Sequence, residues 1–144
     1  MQKGYNYHDI CNERIAEGVP KNRLEKDEEH CVYIGRMHIT DYETGIIGRG
    51  PCKIGRAVYV NAVQRGRNQS GGDFRIYARI IVINKFYTSQ IEKYIAKKYN
   101  TKKATGPLDN QTELYNFQDH ELEDLWKDIE KQYKPVIIKV KSYI

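Results

Sequence analysis

The sequence has little that would build a disulfide scaffold, a structural zinc site or a membrane span. Cysteine is scarce: Cys11, Cys31 and Cys52 are an odd number, widely spaced and without a C-x-x-C pair, which excludes a disulfide framework and a thiolate zinc site. No apolar run approaches the roughly 20 residues of a membrane span, and the opening MQKGYNYHDICNERI lacks the apolar core of a signal peptide. A soluble, intracellular chain with reduced cysteines and no membrane partner is therefore expected. There is no internal repeat and no low-complexity tract, and His8, His30, His38 and His120 are isolated from one another. Phenylalanine (three) and tryptophan (one) are rare beside twelve tyrosines, so the aromatic content suits half-wet surfaces where a hydroxyl reaches water or phosphate.

What is present fits one domain with appendages, since 144 residues suffice to bury a core. The formal charge is +5, and its distribution matters more than its total. Between Thr44 and Gly72 the chain carries Arg49, Lys53, Arg56, Arg65 and Arg67 with no acidic residue. Such a stretch attracts an anionic backbone with an affinity that falls as salt rises, or else it is a solvated basic face without a partner.

Residues 1–30 are polar and charged, and read as an arm or short helix outside the core. CVYIGRMHI from Cys31 to Ile39 and PCKIGRA from Pro51 to Ala57 read as strands, joined by a glycine-containing loop or broad hairpin. In a third strand Phe74, Ile76, Ala78 and Ile80 alternate with Arg75, Tyr77 and Arg79, which predicts one core face and one wet or basic face. A helix is predicted from Thr88 to Tyr99 on the spacing of Ile91, Tyr94, Ile95 and Tyr99. Another, from Asp119 to Gln132, places Leu122, Leu125, Trp126, Ile129 and Tyr133 on one side and an acidic, solvated face on the other. Pro135 ends it, and VIIKVKSYI reads as a terminal strand or an oligomer contact.

The order of these elements is informative: a strand with Tyr33, a strand ending Lys53-Ile54-Gly55, a segment with Arg65, a third strand, then a helix with Glu92. It resembles the GIY-YIG nuclease superfamily, in the branch common in phages and large DNA viruses whose second motif reads KIG. The resemblance covers residues 31–117, with Cys31-Val32-Tyr33 at the first motif. It implies an α+β fold: a small three-stranded antiparallel sheet flanked by helices. Residues 1–30 would be an N-terminal arm and residues 118–144 a C-terminal helix and strand packed on the domain.

Phosphodiester hydrolysis requires a positioned water and a cation for the charge that builds on phosphorus-bound oxygens. The resemblance assigns Tyr33 to the water, a role that requires nearby positive charge to lower a phenol pKa of about 10, and Arg65 to the transition state. Arg67 is the competing register for that arginine. Lys53, Gly55, Arg56, Arg67 and Gln69 become substrate-binding positions, and Glu92 becomes the ligand of Mg²⁺ or Mn²⁺. Many members carry a histidine or tyrosine where Gln69 stands, and glutamine cannot relay a proton near neutral pH. Ser89-x-x-Glu92 also fits a capping box, an alternative role for that carboxylate. Two readings stand for the segment before Gln118: Glu113 and Tyr115 line the site with Asn110 or Asn116 near it, or all four are surface and turn residues.

The resemblance implies a metal-dependent endonuclease that cuts duplex DNA by a one-metal route. The alternative is a catalytically inactive DNA-binding or virion-associated structural protein of the same fold. Homodimer formation or incorporation in a virion would supply the remaining partners, and a viral chain would be found in the host cell or virion.

Overall fold

The computed structural model describes residues 4–22, 30–40, 43–44, 47–58, 73–103 and 114–143. Among them are helix α1 (Tyr7–Ala16), strands β1 (His30–Thr40), β2 (Ile47–Val58) and β3 (Asp73–Val82), helix α2 (Lys85–Lys98), strand β4 (Leu114–Tyr115), helix α3 (Asp119–Tyr133) and strand β5 (Ile137–Ser142). The strands form one antiparallel sheet in the order β4-β2-β1-β3-β5. The α+β class holds, but the sheet has five strands instead of three. β4 is only two residues long, too short to show any alternation, and it joins the edge of β2 through Cys52 and Lys53. β5 is the expected terminal strand, and its partner is β3.

One face of the sheet carries the main core. Val32, Ile34, Cys52, Ile54, Ala78, Ile80 and Val82 meet Ile91 and Ile95 of α2 and Leu122, Leu125, Trp126 and Ile129 of α3. Those helical residues recur at the three- and four-residue spacing that makes one apolar stripe. Asn84 starts α2 by accepting the Phe86 amide at 3.0 Å. The helix therefore begins before Thr88, and Ser89 lies inside it, so the capping-box role for Glu92 falls.

The acidic face of α3 is not simply solvated. Asp119 faces Arg36 at 3.6 Å, Glu121 faces Lys102 at 2.6 Å, and Asp128 faces Lys98 at 2.8 Å. Asp128 Oδ2 also accepts from Tyr94 at 3.0 Å and from Tyr99 at 2.9 Å, which ties α2 to α3. Burial would raise the Asp128 pKa, but the bonds from Lys98, Tyr99 and Tyr94 outweigh it and leave the carboxyl below its usual value. Burial and the same carboxylate push the Tyr99 phenol up to about 12, so it stays a donor.

The other face carries a second core, in which Cys31, Tyr33, Phe74, Ile76 and Ile81 surround Ile10 of α1. Two expectations are corrected here. α1 is not an arm outside the core, because Ile10 is fully buried against the sheet. Nor does β3 keep one apolar face and one wet face. A register shift, in which Ile34 faces Ala78 and Gly35 faces Ile76, leaves Tyr77 as an extra residue. It sends Phe74 and Ile76 to the α1 side and Ala78 and Ile80 to the helix-pair side. Arg79, expected on the wet face, has no exposed surface.

Ile10→Ala should cost about 2 to 5 kcal/mol of unfolding free energy in a denaturant titration; a change within experimental error would return α1 to the status of an appendage. Asp128→Asn should cost about 1.5 to 3 kcal/mol near neutral pH. Because the folded pKa is depressed, the contribution of Asp128 is complete above about pH 4 and is lost as pH falls through the folded value. The wild-type and Asp128→Asn stability curves should therefore converge in acid, and parallel curves would contradict this role.

Candidate functional site

The two motif strands are neighbours, and their register sets Tyr33 directly across from Gly55. Opposed residues in an antiparallel pair project to the same face. A Cβ built on Gly55 would lie 2.6 Å from the Tyr33 hydroxyl oxygen and 2.7 Å from its ring, so only glycine lets the tyrosine lie flat across β2. Tyr33 is 1% exposed, and Phe74 meets its ring edge-on at 6.2 Å between centroids. Lys53 belongs to the same face by alternation and is itself buried.

Glu92 lies elsewhere. It belongs to α2, which packs on the opposite face through Ile91 and Ile95. Its carboxylate oxygen meets Nε of Arg56 at 3.2 Å, with the two side chains 20% and 45% exposed. Arg56 follows Gly55 in β2 and so points away from the Tyr33 face. The structure thus brings Tyr33, Gly55 and Lys53 to one side of the sheet and Arg56 and Glu92 to the other. Arg65, Arg67, Gln69, Asn110 and Glu113 lie outside the described residues. Tyr115 is buried in the helix-side core, where it stacks on Phe117, and it is not positioned as a site residue; Asn116 is exposed.

A single carboxylate with waters can hold Mg²⁺; the Glu92 carboxylate is paired with the Arg56 guanidinium, so a divalent cation there would have to compete with Arg56 for the same oxygens. Among the described residues, no group of three or more histidine, cysteine, aspartate or glutamate side chains is placed to hold a metal ion. No described helix is long and apolar enough to cross a membrane.

The sequence reading missed a polar cluster beside Tyr33. Arg79 donates from Nη2 to Glu13 at 3.1 Å and from Nε to the Tyr143 hydroxyl at 3.0 Å. Lys141 donates to Glu13 at 2.7 Å and to Glu17 at 2.5 Å. The signal was the arginine inside the β3 alternation, which has to find a partner if that face is covered. Comparison with protein-family models, with curated proteins and with solved structures finds no match to this chain.

Gly55→Ala should cost about 1 to 3 kcal/mol through overpacking against Tyr33, whereas Glu92→Gln, which weakens a half-exposed ion pair, should change stability by no more than about 1 kcal/mol. Thermal or denaturant unfolding of the two variants checks both. A Gly55→Ala protein as stable as wild type would mean that Tyr33 does not lie across β2.

Proposed function

We propose that this chain is a DNA-binding protein that engages the phosphate backbone, and that metal-dependent cleavage is not its principal chemistry. The carrying observation is the separation of Tyr33 from Glu92 by the full thickness of the sheet, with Glu92 already paired to Arg56. Binding requires a basic surface, and the stretch from Thr44 to Gly72, with five cations and no acid in its sequence, supplies the charge for one, although Lys53 is buried and Arg56 is paired with Glu92 of α2. On α2, Lys93 and Lys97 are exposed one turn apart and extend the basic character beyond that stretch.

A second reading is favoured by a specific contact. Tyr33 against Gly55 is a cross-strand meeting of the two motif positions that carry the resemblance to GIY-YIG nucleases. On that reading the protein is an endonuclease whose cutting geometry requires Glu92 to leave Arg56 and reach the Tyr33 side.

One pair of assays separates the two. Fluorescence anisotropy should detect duplex DNA binding at about 50 mM salt, with affinity falling steeply as salt rises and weakened in the R56S/R67S double variant. Plasmid nicking with Mg²⁺ or Mn²⁺ should be absent. Nicking that disappears on chelation and in Glu92→Gln would establish the endonuclease, and no binding at low salt would remove both readings.

A further inference from the structure

The cluster under α1 is built like a site. Antiparallel register places Gly55 of β2, Tyr33 of β1, Arg79 of β3 and Lys141 of β5 at successive positions of one row across the sheet. At the β5 end of that row three donors converge on a single oxygen, Glu13 Oε1: Arg79 Nη2 at 3.1 Å, Lys141 Nζ at 2.7 Å and Tyr143 Oη at 3.0 Å. Arg79 is fully buried and Lys141 nearly so. Burial holds the Tyr143 phenol above its usual pKa despite the neighbouring Arg79, so it remains a neutral donor. Two cations and a hydroxyl around one anionic oxygen form the donor set that grips a phosphate oxygen.

The helix that delivers Glu13 is held differently from the other two. α2 is anchored by Ile91 and Ile95, and α3 by Leu122, Leu125, Trp126 and Ile129. Among the described side chains of α1, Ile10 alone is fully buried, and Ile15 is exposed. Its remaining ties to the sheet include the ion pairs of Glu13 with Arg79 and Lys141, continued by Glu17 with Lys141. Such ties are exchangeable: another anion can satisfy the same donors.

We propose that Arg79, Lys141 and Tyr143 form a phosphate-binding site for a nucleic-acid backbone, that the Glu13 carboxylate fills it in the conformation described, and that α1 is an autoinhibitory strap displaced when the backbone binds. The proposal rests on the DNA-binding reading and adds to it a second footprint, on the opposite face from Arg56. Displacement of α1 uncovers Tyr33, opposite Arg79 in the row, with Phe74 packed on its ring, so the exposed surface would be both basic and aromatic, a combination suited to nucleic acid.

The test uses the full chain with Glu13→Gln and Glu17→Gln combined, compared with wild type and with Glu123→Gln plus Glu130→Gln, which changes the net charge equally on the outer side of α3. The strap variant should bind duplex DNA at least about fivefold more tightly than that control, with a salt slope steeper by about 2 for two added phosphate contacts. Lys141→Gln in the strap variant should cancel the gain. Affinity equal to the control, or a gain that survives Lys141→Gln, overturns the proposal.

Should the strap variant fail to fold by circular dichroism, amide exchange of wild-type residues 7–16 decides: faster exchange on adding DNA supports displacement, and unchanged or slower exchange refutes it. If neither protein binds DNA, the DNA reading itself is lost, and the site is probed with tripolyphosphate in the same titration and exchange experiments. Binding that depends on Lys141 then identifies a site for free polyphosphate, and no binding removes the site.

Discussion

A guanidinium buried in a sheet has to be paired, and the pairing of Arg79 organises one whole side of this molecule. Leaving such a charge unanswered would cost several kcal/mol, so an anion has to be brought to it from another part of the chain. Glu13 meets that requirement, and in doing so it fixes where α1 sits. Lys141 and Tyr143 share the same carboxylate oxygen, so the C-terminal strand is fastened to the N-terminal helix across β3. Backbone bonds reinforce this closure, from the Gly4 amide to the Tyr143 carbonyl and from the Tyr143 amide to the Tyr77 carbonyl. Tyr5 stacks on Tyr143 at 4.2 Å between ring centroids.

The two faces of the sheet therefore differ in kind. The side under α2 and α3 is held by close packing of aliphatic and aromatic side chains, supported by polar ties at its rim such as Asp128 with Tyr94, Lys98 and Tyr99. The side under α1 combines a small apolar cluster with a charged one. Hydrophobic contacts have no substitute ligand in water, whereas an ion pair can be exchanged for another anion. The proposed displacement of α1 by a charged partner rests on that contrast.

The same two-sidedness separates the residues that the motif pattern groups together. Tyr33 and Gly55 are adjacent because antiparallel register makes them so, and Glu92 is remote because α2 packs on the reverse of the sheet. A buried, aromatic-packed Tyr33 and a Glu92 neutralised by Arg56 form no common centre in this conformation. Binding of a phosphate backbone makes no such demand on their proximity, which is why it is the function proposed.

The sequence alone determined the principal elements. The strands β1 and β3, the helical stripes of α2 and α3, and the terminal strand are local patterns set by periods of 2 and 3.6 residues, and as elements they appear within a few residues of their expected limits, although the face assignment within β3 does not hold. Gly55 stood out only as a substrate-binding position through the resemblance, and it is the structure that lays the Tyr33 ring across it. Tertiary structure decided the rest. β4 is a two-residue pairing with β2 and has no period to read. The shift at Gly35 and Tyr77, which moves half of β3 to the other face, depends on how β1 and β3 meet and leaves no mark in either strand alone. Whether Arg79 faces water or a carboxylate is settled by Glu13, sixty-six residues away in the chain, and a contact at that separation is specified only when both faces of the sheet compete for cover.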